Sequence, residues 1–186
     1  MLTLKPAKGH ILVAEPSVIG DISFNRSVIL LAEHTETGTV GFILNKKLDF
    51  TLRDLIPDIK GDFPVYRGGP VEPDNLYFIH KVPDLIPNSI EIRAGIFWGG
   101  NFEAVKELIE EELISEEEIK FFLGYSGWDN HQLEKELNAK TWIVIDKEDE
   151  KDIINHQPRT YWKDKMLQLG GNYAIWSNAP ENPAYN

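Results

Sequence analysis

Val28-Ile-Leu-Leu-Ala-Glu33, His34-Thr35-Glu36-Thr37-Gly38 and Val40-Gly-Phe-Ile-Leu44 place two β-like runs on either side of a turn-rich link. β-branched and aromatic side chains suit a pleated, half-buried surface, and Thr and Gly supply turn chemistry, so this stretch reads as a hairpin. Outward from it, His10 to Ala14 gives a strand on one side, and Val65 to Arg67, Leu76 to His80, Ser89 to Arg93 and Ile96 to Trp98 give four on the other. Gly, Pro and Asp clusters separate these runs too closely for repeated helical crossovers. Most strands are therefore expected to pair antiparallel. Ile90 and Ile92 alternate with Glu91 and Arg93, which predicts one buried and one wet face. Between the strands, Thr51 can cap a short helix through Ile56, closed by Pro57.

The back half is organised by helix ends. Phe102, Val105, Ile109 and Leu113 recur at three- and four-residue spacing, predicting a helix whose other face carries Glu107, Glu110 and Glu111. Lys120 to Tyr125 reads as a strand and Trp142 to Asp146 as another. Asp129 reads as an N-cap, with Gln132 three residues on and Trp128 and Leu133 as a hydrophobic staple. Asp149 to Asn155 predicts a short helix, and Thr160 to Leu169 a last one stopped by Gly170-Gly171. The expected organisation is one domain over residues 1–176 and an extended C-terminal tail over 177–186.

Composition bounds the chemistry. With 19 basic and 30 acidic residues the net charge is −11, which disfavours binding to nucleic acid or anionic lipid through counterion release. Direct DNA binding would require Lys5, Lys8, Arg26, Lys46, Lys47 and Arg53 to converge on one face. Cysteine is absent, which excludes disulfides, thiolate metal sites and a cysteine nucleophile. The start of the chain carries no signal-like apolar stretch, and the longest apolar run, Val28 to Ala32, is far short of the ~20 residues of a membrane span. A cytoplasmic protein is expected.

Several short motifs carry both a structural and a functional reading. Gly124-Tyr125-Ser126-Gly127-Trp128 resembles the G-x-S-x-G elbow, but Trp128 stands where the second glycine belongs and no His or Asp can be assigned as partner. The segment is instead expected to end a strand, turn at its glycines and plant Trp128 at a helix N-terminus, whose N–H groups either attract an anion or are already satisfied by Asp129 in a purely structural segment. Arg67-Gly68-Gly69-Pro70 could form an anion-binding backbone nest or only a tight turn, and Trp98-Gly99-Gly100-Asn101 repeats the choice. His131 and Glu134 share a helix face, a spacing compatible with a metal, yet no further ligand stands at motif spacing. No metal and no cofactor are expected. P-loop, zincin and dinucleotide-binding signatures are absent from the sequence.

Gly9-His-Ile-Leu-Val-Ala-Glu-Pro16, Asp21-Ile-Ser-Phe24-Asn-Arg26-Ser27-Val28, Gly41-Phe-Ile-Leu-Asn45, Gly68-Gly69-Pro70-Val71, Phe78-Ile79-His80 and Phe122-Leu123-Gly124-Tyr125-Ser126-Gly127-Trp128 followed by Gln132-Leu133-Glu134 occur in fixed order. In order and spacing these segments resemble the YqgE/AlgH family of bacterial proteins. The resemblance implies an α+β (α/β mixed) single domain with a curved, mixed and mostly antiparallel sheet or flattened barrel flanked by helices, in a bacterial cytoplasm. It implies no reaction, although members are often called transcriptional regulators through a link with alginate control. The chain departs from the family pattern at Asn130-His131, where relatives usually carry a glycine, and at Lys46-Lys47, where Arg-Pro is common.

Three functions remain open at this level. In the first, Asn45, Arg67, Gly68, Gly69, Gly124, Tyr125, Trp128 and Gln132 gather at strand ends around a groove for a small anionic ligand or a peptide. In the second, the chain is a transcription-linked regulator acting through protein partners, and these residues serve only the fold. In the third it is an enzyme using Asp21, His80, Asp129 or Glu134 as acid or base, a reading that ranks below a non-catalytic module.

Overall fold

The computed structural model describes residues 4–181. Among the described residues ten strands and six helices follow one another as β1 (Ile11–Ala14), β2 (Val28–Thr35), β3 (Gly38–Ile43), β4 (Lys47–Thr51), α1 (Leu52–Leu55), β5 (Pro64–Arg67), β6 (Val71–His80), β7 (Ile90–Arg93), β8 (Ile96–Trp98), α2 (Phe102–Glu110), β9 (Ile119–Asp129), α3 (Gln132–Asn138), β10 (Trp142–Ile145), α4 (Glu150–Asn155), α5 (Pro158–Leu169) and α6 (Gly171–Trp176). The strands make one sheet in the order β10-β1-β2-β3-β9-β6-β8-β7, with β5 attached to β9 and β4 to β5. Every pairing is antiparallel except β5 on β9. The sheet curls without closing its ladder. Arg93 on the far edge strand reaches back to donate a hydrogen bond to the Gly9 carbonyl at 3.0 Å.

The expected hairpin is β2 and β3, joined at Thr35↔Gly38, with a bulge between Leu31 and Glu33. Its inward residues explain the curl. Val28, Leu30, Ala32, Phe42 and Leu44 are buried with Ile11, Val13, Ile79, Ile92, Ile96 and Phe122 in a first core, closed from outside by Tyr161, Trp162 and Met166 of α5. A second core lies under α1 and α2 around Phe78 and Phe121, and a third under α3 around Trp128 and Trp142. Each fully buried Leu, Ile or Phe contributes roughly 1.5–3 kcal/mol relative to exposure, so the sheet needs helices on both faces to be stable.

The long strand β9 holds the fold together by changing partners. Along one edge it pairs with β6; along the other it takes β5 at Phe121–Leu123 and then β3 at Ser126–Asp129. Gly68 stands at that handover. Its N–H donates to the Leu123 carbonyl at 2.8 Å, and its own carbonyl accepts from the Ile43 N–H at 2.9 Å and from Ser126 Oγ at 3.0 Å. A Cβ on Gly68 would collide with the Gly124 carbonyl oxygen, so only glycine lets three strands meet there.

Local structure departs from the sequence-based expectation at several points. The Gly124–Trp128 segment does not end a strand: β9 runs through it, and Gly124 at φ +68° takes up the register shift against β6. Helix α3 starts at Gln132 rather than after Asp129, with His131 at the cap in a left-handed conformation (φ +59°). Gln132 Oε1 still accepts the Asp129 N–H at 3.0 Å, half of the expected box, and Leu133 and Trp128 do share a core. Ile90, at the start of edge strand β7, is 53% exposed, whereas Ile92 on the same face is buried. Leu113 lies past the end of α2 and is exposed. Gly170-Gly171 does stop α5 at Leu169, but that helix is not the last: residues 171–176 form α6. Of the expected tail, 177–181 pack against the body, and 182–186 lie outside the described residues.

Candidate functional site

A cavity of about 1020 Å³ opens between the loop before β2, strand β4, the end of β5 and the start of α5. Its wall is built by local hydrogen bonding. Asp21 Oδ1 accepts the N–H groups of Ser23 and Phe24, bending the chain ahead of β2. Asn45 then clamps that bend: its Oδ1 accepts the Val28 N–H and its Nδ2 donates to the Arg26 carbonyl, both at 2.9 Å. Lys46 Nζ donates to the Asn25 carbonyl at 2.6 Å. The result holds Arg26 at φ +53° with its guanidinium over the Trp162 ring, 4.8 Å from the centroid.

Across the cavity, α5 supplies Arg159 and Lys163 one turn apart on either side of Trp162. Trp162 fixes this helix to the sheet by donating its Nε1–H to the Ala14 carbonyl at 2.8 Å. The helix begins with Gln157 as cap and Pro158 at its first turn, so its positive dipole end also faces the cavity. Arg67 at the end of β5 completes the wall, its N–H bonded to the Lys46 carbonyl at 2.8 Å.

Arg26, Lys46, Lys47, Arg67, Arg159 and Lys163 therefore line one space, against two carboxylates, Asp49 and Glu181. This basic patch sits on a chain of net charge −11. Burial pulls the Lys46 ammonium below the usual lysine range; Glu181 opposes that shift and Arg26 adds to it. A bound anion would oppose that downward shift.

Of the residues singled out in the sequence, the structure brings Asn45 and Arg67 to this cavity. Gly68, Gly69 and Gly124 do meet in space, but packed against one another at the β5–β9 handover, with the Gly68 amide hydrogen-bonded inside the sheet. Tyr125 packs edge-on to Tyr77. Trp128 is buried in the third core, and its indole donates to Glu136, as does that of Trp142. Gln132 bonds to the same glutamate at the surface. None of these last six residues lines the cavity.

The elbow-like serine is buried within β9, and its hydroxyl is spent on the Gly68 carbonyl. His80 is fully buried; its Nδ1 accepts the Val82 N–H at 3.3 Å, which leaves Nε2–H to donate to the Gly99 carbonyl at 3.2 Å. Burial holds its pKa below the ordinary histidine value. Among the described residues no three His, Asp or Glu side chains gather as a metal site, around His131 and Glu134 or elsewhere. Of the basic residues considered for convergence, Arg26, Lys46 and Lys47 do converge, whereas Arg53 pairs with Asp62 at 3.4 Å and Lys5 and Lys8 lie elsewhere. Arg159 and Lys163 were not foreseen. Their i, i+4 spacing around a tryptophan was the signal available.

Fold and cavity together define a class: a single α+β domain with an unclosed, curved sheet and one cation-lined hollow. The chain belongs to the AlgH-like family, whose model matches residues 11–174. Relatives over nearly the full length include UPF0301 proteins of Bacteroides thetaiotaomicron, 39% identical over 97% of this chain and 92% of theirs, and of Chlorobaculum tepidum, 37% identical over 98% and 96%. Among solved structures, the AlgH protein from Pseudomonas aeruginosa superposes with a TM-score of 0.71 at 25% identity, covering 97% of this chain and 98% of that one. A Corynebacterium diphtheriae protein superposes at 0.76 with 23% identity, over 96% and 95%.

Proposed function

We propose that this protein is a non-catalytic binding module of the bacterial cytoplasm whose cavity takes an anionic ligand. The carrying observation is the placement of six basic side chains against two acidic ones in one hollow of an otherwise strongly acidic chain. Low-dielectric walls focus such a field and raise the local concentration of anions, while the surrounding negative surface discourages long polyanions such as duplex DNA. Among the described residues no helix is long and apolar enough to cross a membrane.

A thermal-shift panel of inorganic phosphate, pyrophosphate, citrate and nucleotides tests the reading. A ligand at a hundred times its Kd stabilises the fold by roughly 2.7 kcal/mol. At least one anion is expected to raise Tm in the wild type and to lose that effect in Arg67→Ala/Lys163→Ala. A panel without any shift, or a shift that survives the double substitution, refutes the cavity as the binding site.

A further inference from the structure

Strand β4 borders the cavity in a particular way. Lys47, Leu48, Asp49, Phe50 and Thr51 all line it, although consecutive strand residues point to opposite faces. The ladder to β5 is irregular between Lys47 and Thr51, and the hollow follows the whole strand. The other edge of β4 is open: among the described residues no strand pairs with it. Leu48 and Phe50 are anchored against the second core, so the edge is held in place rather than free to fold away. At the rim, the protein already grips its own backbone. Arg26 Nη2 donates to the successive carbonyls of Ala179 and Pro180, at 2.6 and 2.8 Å, and Glu181 follows them into the cavity wall.

We propose that the cavity receives an extended acidic segment of a partner protein, which adds to the open edge of β4 by backbone hydrogen bonding while its carboxylates meet Lys46, Arg67, Arg159 and Lys163. This rests on the anion-binding reading and specifies its ligand. Strand addition gives affinity through the main chain and specificity through alternate side chains. The five-residue edge of β4 spans roughly 17 Å, enough for four or five residues of a guest. Thr51 closes the far end, because its N–H is already taken by Asp54 Oδ2 at 2.7 Å. Asp49 and Glu181 place negative charge within the same wall, so a guest whose carboxylates alternate with uncharged residues fits better than a continuous acidic run.

The test pans a random octapeptide display library against the full-length chain at low salt, with Arg67→Glu/Lys163→Glu as counter-selection. Selected peptides are expected to carry Asp or Glu at alternate positions and to bind the double variant at least tenfold more weakly. N-methylation of alternate peptide amides is expected to cost a further tenfold, and peptide binding should slow hydrogen exchange at the wild-type Lys47–Phe50 amides. An absent acidic consensus, or selected peptides that tolerate N-methylation at every position and leave that exchange unchanged, overturns strand addition. Pyrophosphate titrated in parallel separates the two readings: pyrophosphate binding without peptide pairing leaves a small-anion site, whereas binding of neither removes both.

Discussion

Trp128 donates its indole N–H to Glu136 Oε2 at 2.9 Å, and the same oxygen accepts the Trp142 indole N–H at 2.7 Å. Two buried tryptophans, edge to face with centroids 6.1 Å apart, thus share one carboxylate from α3. This oxygen and the buried Leu133 both hold the helix to the sheet. Glu136→Ala strands two donors in the third core, and hydrogen bonds to a charged group contribute about 1.5–3 kcal/mol each. A loss of about 3 kcal/mol is expected in urea denaturation, with Glu136→Gln losing roughly half of that because one acceptor oxygen remains. A loss under about 0.5 kcal/mol for the alanine variant would show that water replaces the carboxylate freely.

Gly68→Ala tests the handover between β5, β3 and β9. The added methyl meets the Gly124 carbonyl group and the Cβ of Phe122, both on β9 and neither the far end of a flexible side chain, so relief requires the sheet itself to part. Overpacking of this kind costs 1–3 kcal/mol where side chains can adjust. Here the expected loss is at least about 3 kcal/mol, seen as a lower urea midpoint or as failure to accumulate folded protein. Gly99→Ala is the control, since a Cβ there meets nothing within 4 Å and only the positive φ of +66° is strained.

The sequence pattern reveals the strands wherever apolar residues alternate or run together, as in β2, β3 and β8. It conceals β4, where Leu48 and Phe50 alternate with Lys47, Asp49 and Thr51 over only five residues that run straight into α1. Glycine misleads at Gly124, where it bends a strand without ending it, whereas Gly170-Gly171 ends α5 as expected but leads directly into α6. The cavity is less readable still. Arg26 and Arg159 stand far apart in the chain and come together only because α5 docks on β1 through Trp162. A long-range contact of that kind leaves no local pattern to detect.

His131 occupies a left-handed conformation at the start of α3, the position where the family resemblance leads one to expect glycine. A non-glycine residue there carries steric strain of roughly 1–2 kcal/mol, partly offset by the smaller backbone entropy it loses on folding. The imidazole is exposed and caps nothing. His131→Gly is therefore expected to stabilise the protein by about 0.5–1 kcal/mol, measured as a higher denaturation midpoint with unchanged m value. Destabilisation would mean that the side chain makes a contact that compensates the strain.

Lys120 is buried on β9, with its Nζ donating to the Ile154 carbonyl at 3.2 Å and lying 3.9 Å from the centroid of the Tyr66 ring. Burial pulls its pKa down to about 7 from the ordinary 10.5. Between those values the unfolded chain binds a proton that the folded chain gives up, so stability rises with pH across that window and the gain is absent below it. Lys120→Met removes the cost of neutralising the amine and keeps most of the packing. The variant is expected to be more stable than the wild type at pH 7, on the order of 2–4 kcal/mol, with the gap closing as pH approaches 10. Tyr66 and Tyr161, both with pKa values raised by burial, act in the opposite direction, chiefly above pH 10, so measurements at pH 7, 8 and 9 isolate the lysine. Parallel stability curves for the two proteins over that range would show that the ammonium stays charged, held by the Tyr66 ring and the Ile154 carbonyl.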